Sequence, residues 1–193
     1  PFSEDLAACW DDGQVGFIDL NGRWAFSARV AHARGFSEGL AAVNVGGEWR
    51  RKNGYYLLFD GGKWGFIDKS GALVIQPRYD SVSSFHEGLA RFEINGKWGY
   101  LNAKGEEVIP ATYDAADDFS QGLAAVKLGG SRFDKVGKWG YIDTRGSVVL
   151  HLEFETANRF SEGLAAVSKG GKMGFIDRTG KVVIPLQFDR VSS

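Results

Sequence analysis

Apolar and polar positions fall along this chain in short strand-like runs separated by turns that contain Gly. In "GLAAV" one face carries Leu40 and Ala42 and the other Ala41 and Val43; in "KWGFI" Trp64 and Phe66 oppose Gly65 and Ile67. Both faces are therefore apolar. A sheet of this kind must be covered on both sides. In the cleanest stretch, "LARFEI" (Leu89 to Ile94) meets "KWGYLN" across Asn95-Gly96, a pair that accepts the positive φ angles of a type I′ hairpin. "AKG" then turns the chain into "EEVIP", a third strand expected to end at Pro110. The following "ATYDAADD" reads as a polar corner, with Tyr113 packing inward and Asp114 bonding nearby backbone amides.

This pattern recurs. Trp-Gly pairs stand at Trp64-Gly65, Trp98-Gly99 and Trp139-Gly140, with Met173-Gly174 and Val15-Gly16 as end variants. A second signature, F-[S/H]-[E/Q]-G-L-A, starts at Phe36, Phe85, Phe119 and Phe160, and Phe2 begins a variant with Asp5 in place of Gly. Successive copies are 34, 49, 34 and 41 residues apart, so a 34-residue repeat carries 15 extra residues in its second copy and 7 in its fourth. The expected organisation is one domain over residues 1–193 with repeats at about 2–35, 36–84, 85–118, 119–159 and 160–193.

The fold expected is all-β: five three-stranded antiparallel meanders stacked as an open superhelical array, with neighbouring repeats covering each other's faces. Bulky Trp and Phe of one repeat are expected to rest against Ala and Gly of the next, the Trp-Gly glycines permitting close approach or twist. The atypical end copies, Val15 and Met173, favour the open stack over the alternative, a closed five-bladed propeller-like ring. Thirty-four residues is also short for a blade, which usually needs about 40.

Composition changes this picture little. The chain has 193 residues, a formal charge of -1 and 27 glycines, roughly twice the usual share of Gly. No long charged run points to nucleic acid, and no apolar run is long enough to span a bilayer. The chain opens on Pro1 and not Met, so a trimmed piece of a longer protein is expected, and the compartment stays open.

KWGFID, then xxGxVVIxP, YD or FD, and FSEGLAxV, resemble the WG-repeat (KWG-repeat) family of bacterial proteins, known mainly as tandem β-hairpin repeats. The likeness covers essentially the whole chain. It departs at Val15 and Met173, at "RWAFSARVA" and at the two insertions. It implies a binding or scaffolding role by analogy and names no substrate.

A residue present in five copies is architecture before it is chemistry, so no catalytic residue and no cofactor is assigned. Cys9 occupies the repeat position of Val43, Phe92, Val126 and Val167 and is expected in the core. His32, His86 and His151 do not recur and show no metal-ligand spacing. Asp19, Asp68, Asn102, Asp143 and Asp177 all precede x-x-Gly, and Asp80, Asp114, Glu155 and Asp189 follow the corner. Such a line of carboxylates suits calcium in some β-solenoids. Asn102 breaks the charge series, however, and Asp before x-x-Gly is ordinary turn chemistry.

The insertions are what the repeat does not require. "NVGGEWRRKNGYYLLFDGGKWG" lengthens the first hairpin of the second repeat with Trp49, Arg50, Arg51, Tyr55 and Tyr56; "KLGGSRFDKVGKWG" does the same in the fourth with Arg132 and Phe133. Insertions at one repeat position map to one face, often the binding face, and aromatics mixed with Arg are typical of protein-binding hot spots. The expectation is a non-enzymatic module for a protein or peptide partner, with neither nucleic acid nor membrane insertion. A bland reading, in which "YYLLF" only caps exposed core, stands beside it. So does a carbohydrate-binding or glycan-processing protein, which needs exposed aromatics and a pair of catalytic carboxylates.

Overall fold

The computed structural model describes residues 1–11, 14–52, 56–130, 132 and 136–191, with residues 14, 49–52 and 56–60 described by their backbone. Every described regular element is a strand, in five separate open sheets whose strand order follows the chain. The first holds β1 (Ala7–Asp11), β2 (Gln14–Ile18) and β3 (Trp24–Ala28); the second β4 (His32–Ser37), β5 (Leu40–Lys52), β6 (Tyr56–Asp68) and β7 (Leu73–Tyr79). The third is β8 (Ser81–Val82), β9 (Leu89–Ile94), β10 (Lys97–Asn102) and β11 (Glu107–Tyr113). The fourth is β12 (Ala115–Ala116), β13 (Leu123–Leu128), β14 (Lys138–Asp143) and β15 (Val148–Phe154). The fifth is β16 (Thr156–Ala157), β17 (Leu164–Lys169), β18 (Lys172–Asp177) and β19 (Val182–Phe188). Two compact units divide the chain, Pro1–Asn95 with Asn102–Glu106 and Gly96–Leu101 with Glu107–Ser193.

The three-stranded meander expected from sequence is present in every repeat, and four of the five sheets add a fourth strand. The corner supplies it. Ala115 and Ala116 are 2% and 1% exposed and pair with β13, so part of what read as polar corner is sheet edge. Tyr113 packs inward as expected. Asn95 and Gly96 have φ of 52° and 73°, the left-handed pair that a type I′ hairpin needs.

The third strand does not stop at its proline. β11 runs through Pro110 to Tyr113, because Trp98 pairs with Tyr113 and Tyr100 with Ile109, leaving Gly99 alone opposite residues 110 to 112. The missing N–H of Pro110 falls within this bulge, where the ladder is already interrupted. The same irregularity faces Gly65, Gly140 and Gly174. A Cβ on Gly99 would lie 2.5 Å from the Ile109 carbonyl oxygen, which is the close approach expected of these glycines.

The F-S-E-G signature proves to be a second I′ hairpin. His86 and Leu89 exchange backbone bonds of 2.9 and 3.2 Å across Glu87 and Gly88, whose φ angles are 54° and 81°. Holding a non-glycine there costs of order 1–3 kcal/mol. A contact to the following repeat offsets it. In the first unit Glu4 accepts the Gly39 amide at 3.1 Å and Glu38 the Gly88 amide at 2.9 Å; in the second, Gln121 accepts the Gly163 amide at 2.9 Å.

Aromatic pairs join the repeats at the same places. Phe17 packs at a tilt against Phe36 and Phe66 against Phe85 in the first unit, with centroids 4.8 and 4.9 Å apart. Tyr100 on Phe119 and Tyr141 on Phe160 repeat this in the second, at 4.8 and 4.9 Å. Each pair is worth about 0.5–1.5 kcal/mol beyond its buried area. The D-x-x-G turn of one repeat also sits on the third strand of the one before: a Cβ on Gly105 would be 3.3 Å from Ile75, and one on Gly146 3.3 Å from Ile109. Large side chains meet small ones at these joints. Val15 and Phe17 of the first sheet pack with Ala33, Ala41 and Val43 of the second, and Trp139 and Tyr141 of the fourth with Ala165 of the fifth.

Candidate binding surface

Most recurring polar side chains are already occupied by the framework. The Oδ1 atoms of Asp19, Asp68, Asp143 and Asp177 each accept the backbone amides two and four residues on, at 2.8 to 3.1 Å. Asn102 accepts the same two amides, so the position needs an acceptor and not a charge. Among the described residues no three His, Cys, Asp or Glu gather as a metal ion would require. The corner acids tie down the neighbouring hairpin: Asp80 binds Lys63 and the Asn95 amide, Asp114 binds Lys97 and the Gly129 amide, and Glu155 accepts the Gly170 and Gly171 amides.

These bonds set the response to acid. Lys63 and the Asn95 amide hold Asp80 below its ordinary range, and Lys97 and the Gly129 amide do the same for Asp114. A carboxylate whose folded value is depressed contributes stability above its unfolded value and loses it as pH falls through the folded one. Glu93 works oppositely, since burial first and Asp80 second push it up. Glu4, Asp19, Asp68, Asp143 and Asp177 are lowered as well. With seven lowered acids against one raised among the described residues, chemical denaturation midpoints are expected to fall between about pH 5 and pH 2. Replacing both Asp80 and Asp114 by Asn is expected to reduce that slope without abolishing it.

The insertion in the second repeat is a continuous extension of its hairpin. β5 and β6 keep one register from Leu40 opposite Asp68 out to Lys52 opposite Tyr56. At its base Asn44, fully buried, donates to the Gly61 carbonyl at 3.2 Å and accepts the Gly47 amide at 3.1 Å. Beyond this point, among the described residues, the strands pair only with each other, because β4 and β7 reach no further than Asn44 and Trp64. Trp49, Arg50 and Arg51 lie in this outer stretch opposite Phe59, Leu58 and Leu57. Their side chains, that of Tyr56, and Tyr55 and Phe133 altogether lie outside the described residues.

Arg132 is the predicted site residue whose contacts are described. Its guanidinium lies 5.4 Å from the Trp139 ring centroid, donates to Asp117 at 2.6 Å and to the Ala116 carbonyl at 3.2 Å. Arg34 makes the corresponding clamp in the first unit, 4.6 Å from the Trp64 centroid and donating to the Val82 carbonyl at 2.5 Å. One arginine comes from an insertion and the other from β4. Arg132 thus fastens the second insertion to a repeat Trp. Sequence reading passed over Arg34 because nothing recurs at its position; the constant Glu or Gln of F-S-E-G was the available sign of the inter-repeat bond.

Cys9 stands opposite Gly16, as Val43 stands opposite Gly65, but it is half-buried and not in the core. Among the described residues the first sheet has three strands where the others have four. His32 lies between Trp10 and Trp64, at 5.2 and 5.8 Å, and burial followed by the Arg34 charge lowers its pKa.

Repeated hairpin sheets that pack on one another within each unit, two of the five repeats carrying an insertion at the same hairpin, define an all-β tandem-repeat protein. The sequence profile of the WG containing repeat matches residues 16–49, 64–98, 98–131, 139–172 and 173–193. The chain belongs to that family. No curated protein matches it. Among solved structures it is similar to one described as the crystal structure of the eukaryotic initiation factor, at 12% identity and a TM-score of 0.53 over 92% of this chain and 51% of that one. It is also similar to Citrobacter koseri AztD, at 15% identity and a TM-score of 0.38 over 94% of this chain and 56% of that one. The chain spans about half the length of either, and the first likeness concerns the fold alone. No helix among the described residues is long and apolar enough to cross a membrane.

Proposed function

We propose that this chain is a non-enzymatic interaction module that takes a protein or peptide partner on the face decorated by its two hairpin insertions. The observation that carries the proposal is the outer β5–β6 ribbon, six residues of each strand paired only with each other across Gly47–Lys52 and Tyr56–Gly61. Among the described residues neither edge of this ribbon pairs with a further strand, which leaves backbone groups for an extended peptide, and Trp49, Arg50, Arg51, Tyr55 and Tyr56 add the side chains that dominate such contacts. Arg132 and Phe133 hold the corresponding insertion of the fourth repeat in sequence. The framework supports a passive scaffold, since its recurring acids are spent on turns.

A glycan-processing reading needs two carboxylates poised about a glycosidic bond. Asp80 and Glu93 have pKa values pushed in opposite directions, but Lys63 and the Asn95 amide take one oxygen each of Asp80. Both of its oxygens already serve the hairpin framework.

Recovery of partners from lysate by the wild type and by a variant whose insertions are cut back to the 34-residue repeat tests the reading. With a partner in hand, Trp49→Ala and Arg51→Ala are expected to weaken binding about tenfold or more while leaving the melting curve intact. Unchanged affinity in both variants rejects this face.

A further inference from the structure

The outer ribbon is not symmetric across its width. Beyond Asn44 the register sets Glu48 opposite Asp60, Trp49 opposite Phe59, Arg50 opposite Leu58, Arg51 opposite Leu57 and Lys52 opposite Tyr56. Directly opposed residues share a face and successive residues alternate, so Arg50 and Lys52 fall on one face and Arg51 on the other, each across from an apolar or aromatic residue of β6. The β5 side is thus cationic on both faces and the β6 side apolar on both. No acid occurs from Trp49 to Phe59, and the two acids of the ribbon, Glu48 and Asp60, stand opposite each other at its base.

The cationic side is also an open edge. β4 pairs with β5 as far as His32 opposite Asn44, Ala31 donates one more backbone bond to the Asn44 carbonyl at 2.8 Å, and the chain before that belongs to β3 of another sheet. Among the described residues nothing pairs with this edge of β5 from Val45 to Lys52. An open edge is a template for a further strand. A second copy of the edge brings three more cations against one acid, Glu48, and like charges on adjoining strands are destabilising. Lipid headgroups and nucleic acids carry the opposite charge but no ladder of backbone amides and carbonyls to complete a sheet.

We propose that the outer edge of β5 takes an extended acidic segment of a partner protein as an added strand, continuing the line of β4. Three consecutive Asp or Glu of that segment stand opposite Arg50, Arg51 and Lys52, with an apolar residue opposite Trp49. The inference rests on the ribbon being the partner site and names the chemistry of that partner. Backbone bonds hold the added strand, and opposite charges on adjoining strands select its sequence. The β6 edge, with Tyr56, Leu57, Leu58 and Phe59 and no cation, makes no such selection.

Fluorescence anisotropy of the full chain with a labelled synthetic peptide is the test, the probe carrying three consecutive glutamates flanked on each side by valine and threonine. It is expected to bind about tenfold or more tighter than the same peptide with lysines in place of the glutamates. Arg50→Glu, Arg51→Glu and Lys52→Glu made together are expected to exchange the two preferences while the melting curve holds. A glutamate peptide whose central amides are replaced by esters keeps every charge but loses donors of the ladder, so a loss of about threefold or more is expected. Equal binding of the two peptides, a preference that the reversed edge leaves unchanged, or an ester peptide that binds as well as the amide overturns the proposal. So does a glutamate peptide that fails to bind; if phosphatidylserine vesicles or a DNA duplex bind in its place, the cations serve a lipid or nucleic-acid surface. Should the triple variant fail to fold, the charge and ester comparisons on the wild type decide. A lysate partner lost on trimming the insertions, with no preference for the glutamate peptide, overturns the acidic strand alone and leaves the module reading in place.

Discussion

Gly140→Ala is expected to destabilise the chain by at least about 3 kcal/mol, with loss of the folded baseline in a thermal melt as the extreme outcome. A Cβ at this position would lie 2.6 Å from the Leu150 carbonyl oxygen and 2.8 Å from the Leu152 amide nitrogen. Both are backbone atoms of the bulged β15, so no rotamer change relieves the overlap. The sheet must open where Trp139 pairs with Phe154 and Tyr141 with Leu150. Gly163→Ala is the matched control. Its φ of 81° strains an alanine, but nothing lies within 4 Å of the added methyl, so a loss of about 1 kcal/mol is expected. Urea denaturation of the two variants separates a glycine required for space from one required for its backbone angle. Equal losses would show that the Trp-Gly glycines serve only conformation.

Phe160→Ala is expected to cost about 3–5 kcal/mol. Phe160 is 1% exposed and packs on Tyr141, whose hydroxyl is in turn fixed to the Asn158 carbonyl at 2.7 Å. Removing the ring leaves a cavity in the cluster that joins two repeats, beside Leu123, Leu150 and Ala165. Phe2→Ala removes the same ring from the same signature where it is 48% exposed, and is expected to change stability by less than about 0.5 kcal/mol. The comparison, again by urea denaturation, measures the joint. Similar losses at the two positions would mean that the ring matters within its own repeat.

Trp49, Arg51 and their neighbours were legible as candidates because the insertions break a regular spacing. The groups that fasten Arg132 were not, since the Asp117 carboxylate and the Ala116 carbonyl lie 15 and 16 residues away and come beside it only through the fold. The same holds for Arg34 and Val82, 48 residues apart. Glu93 gave no sign of its raised pKa, because burial and the approach of Asp80 are properties of the folded sheet.

Sequence alone determined the all-β class, the five repeats, the I′ turn at Asn95-Gly96 and the need for the Trp-Gly glycines, because each follows from local periodicity or from the steric demands of one residue. Only the tertiary structure decided the fourth strand, the continuation through Pro110 and the ladder of Glu and Gln side chains on the next repeat's amides. Each of those depends on a partner at least several residues distant, whose position is fixed by packing of sheet on sheet and not by the local sequence.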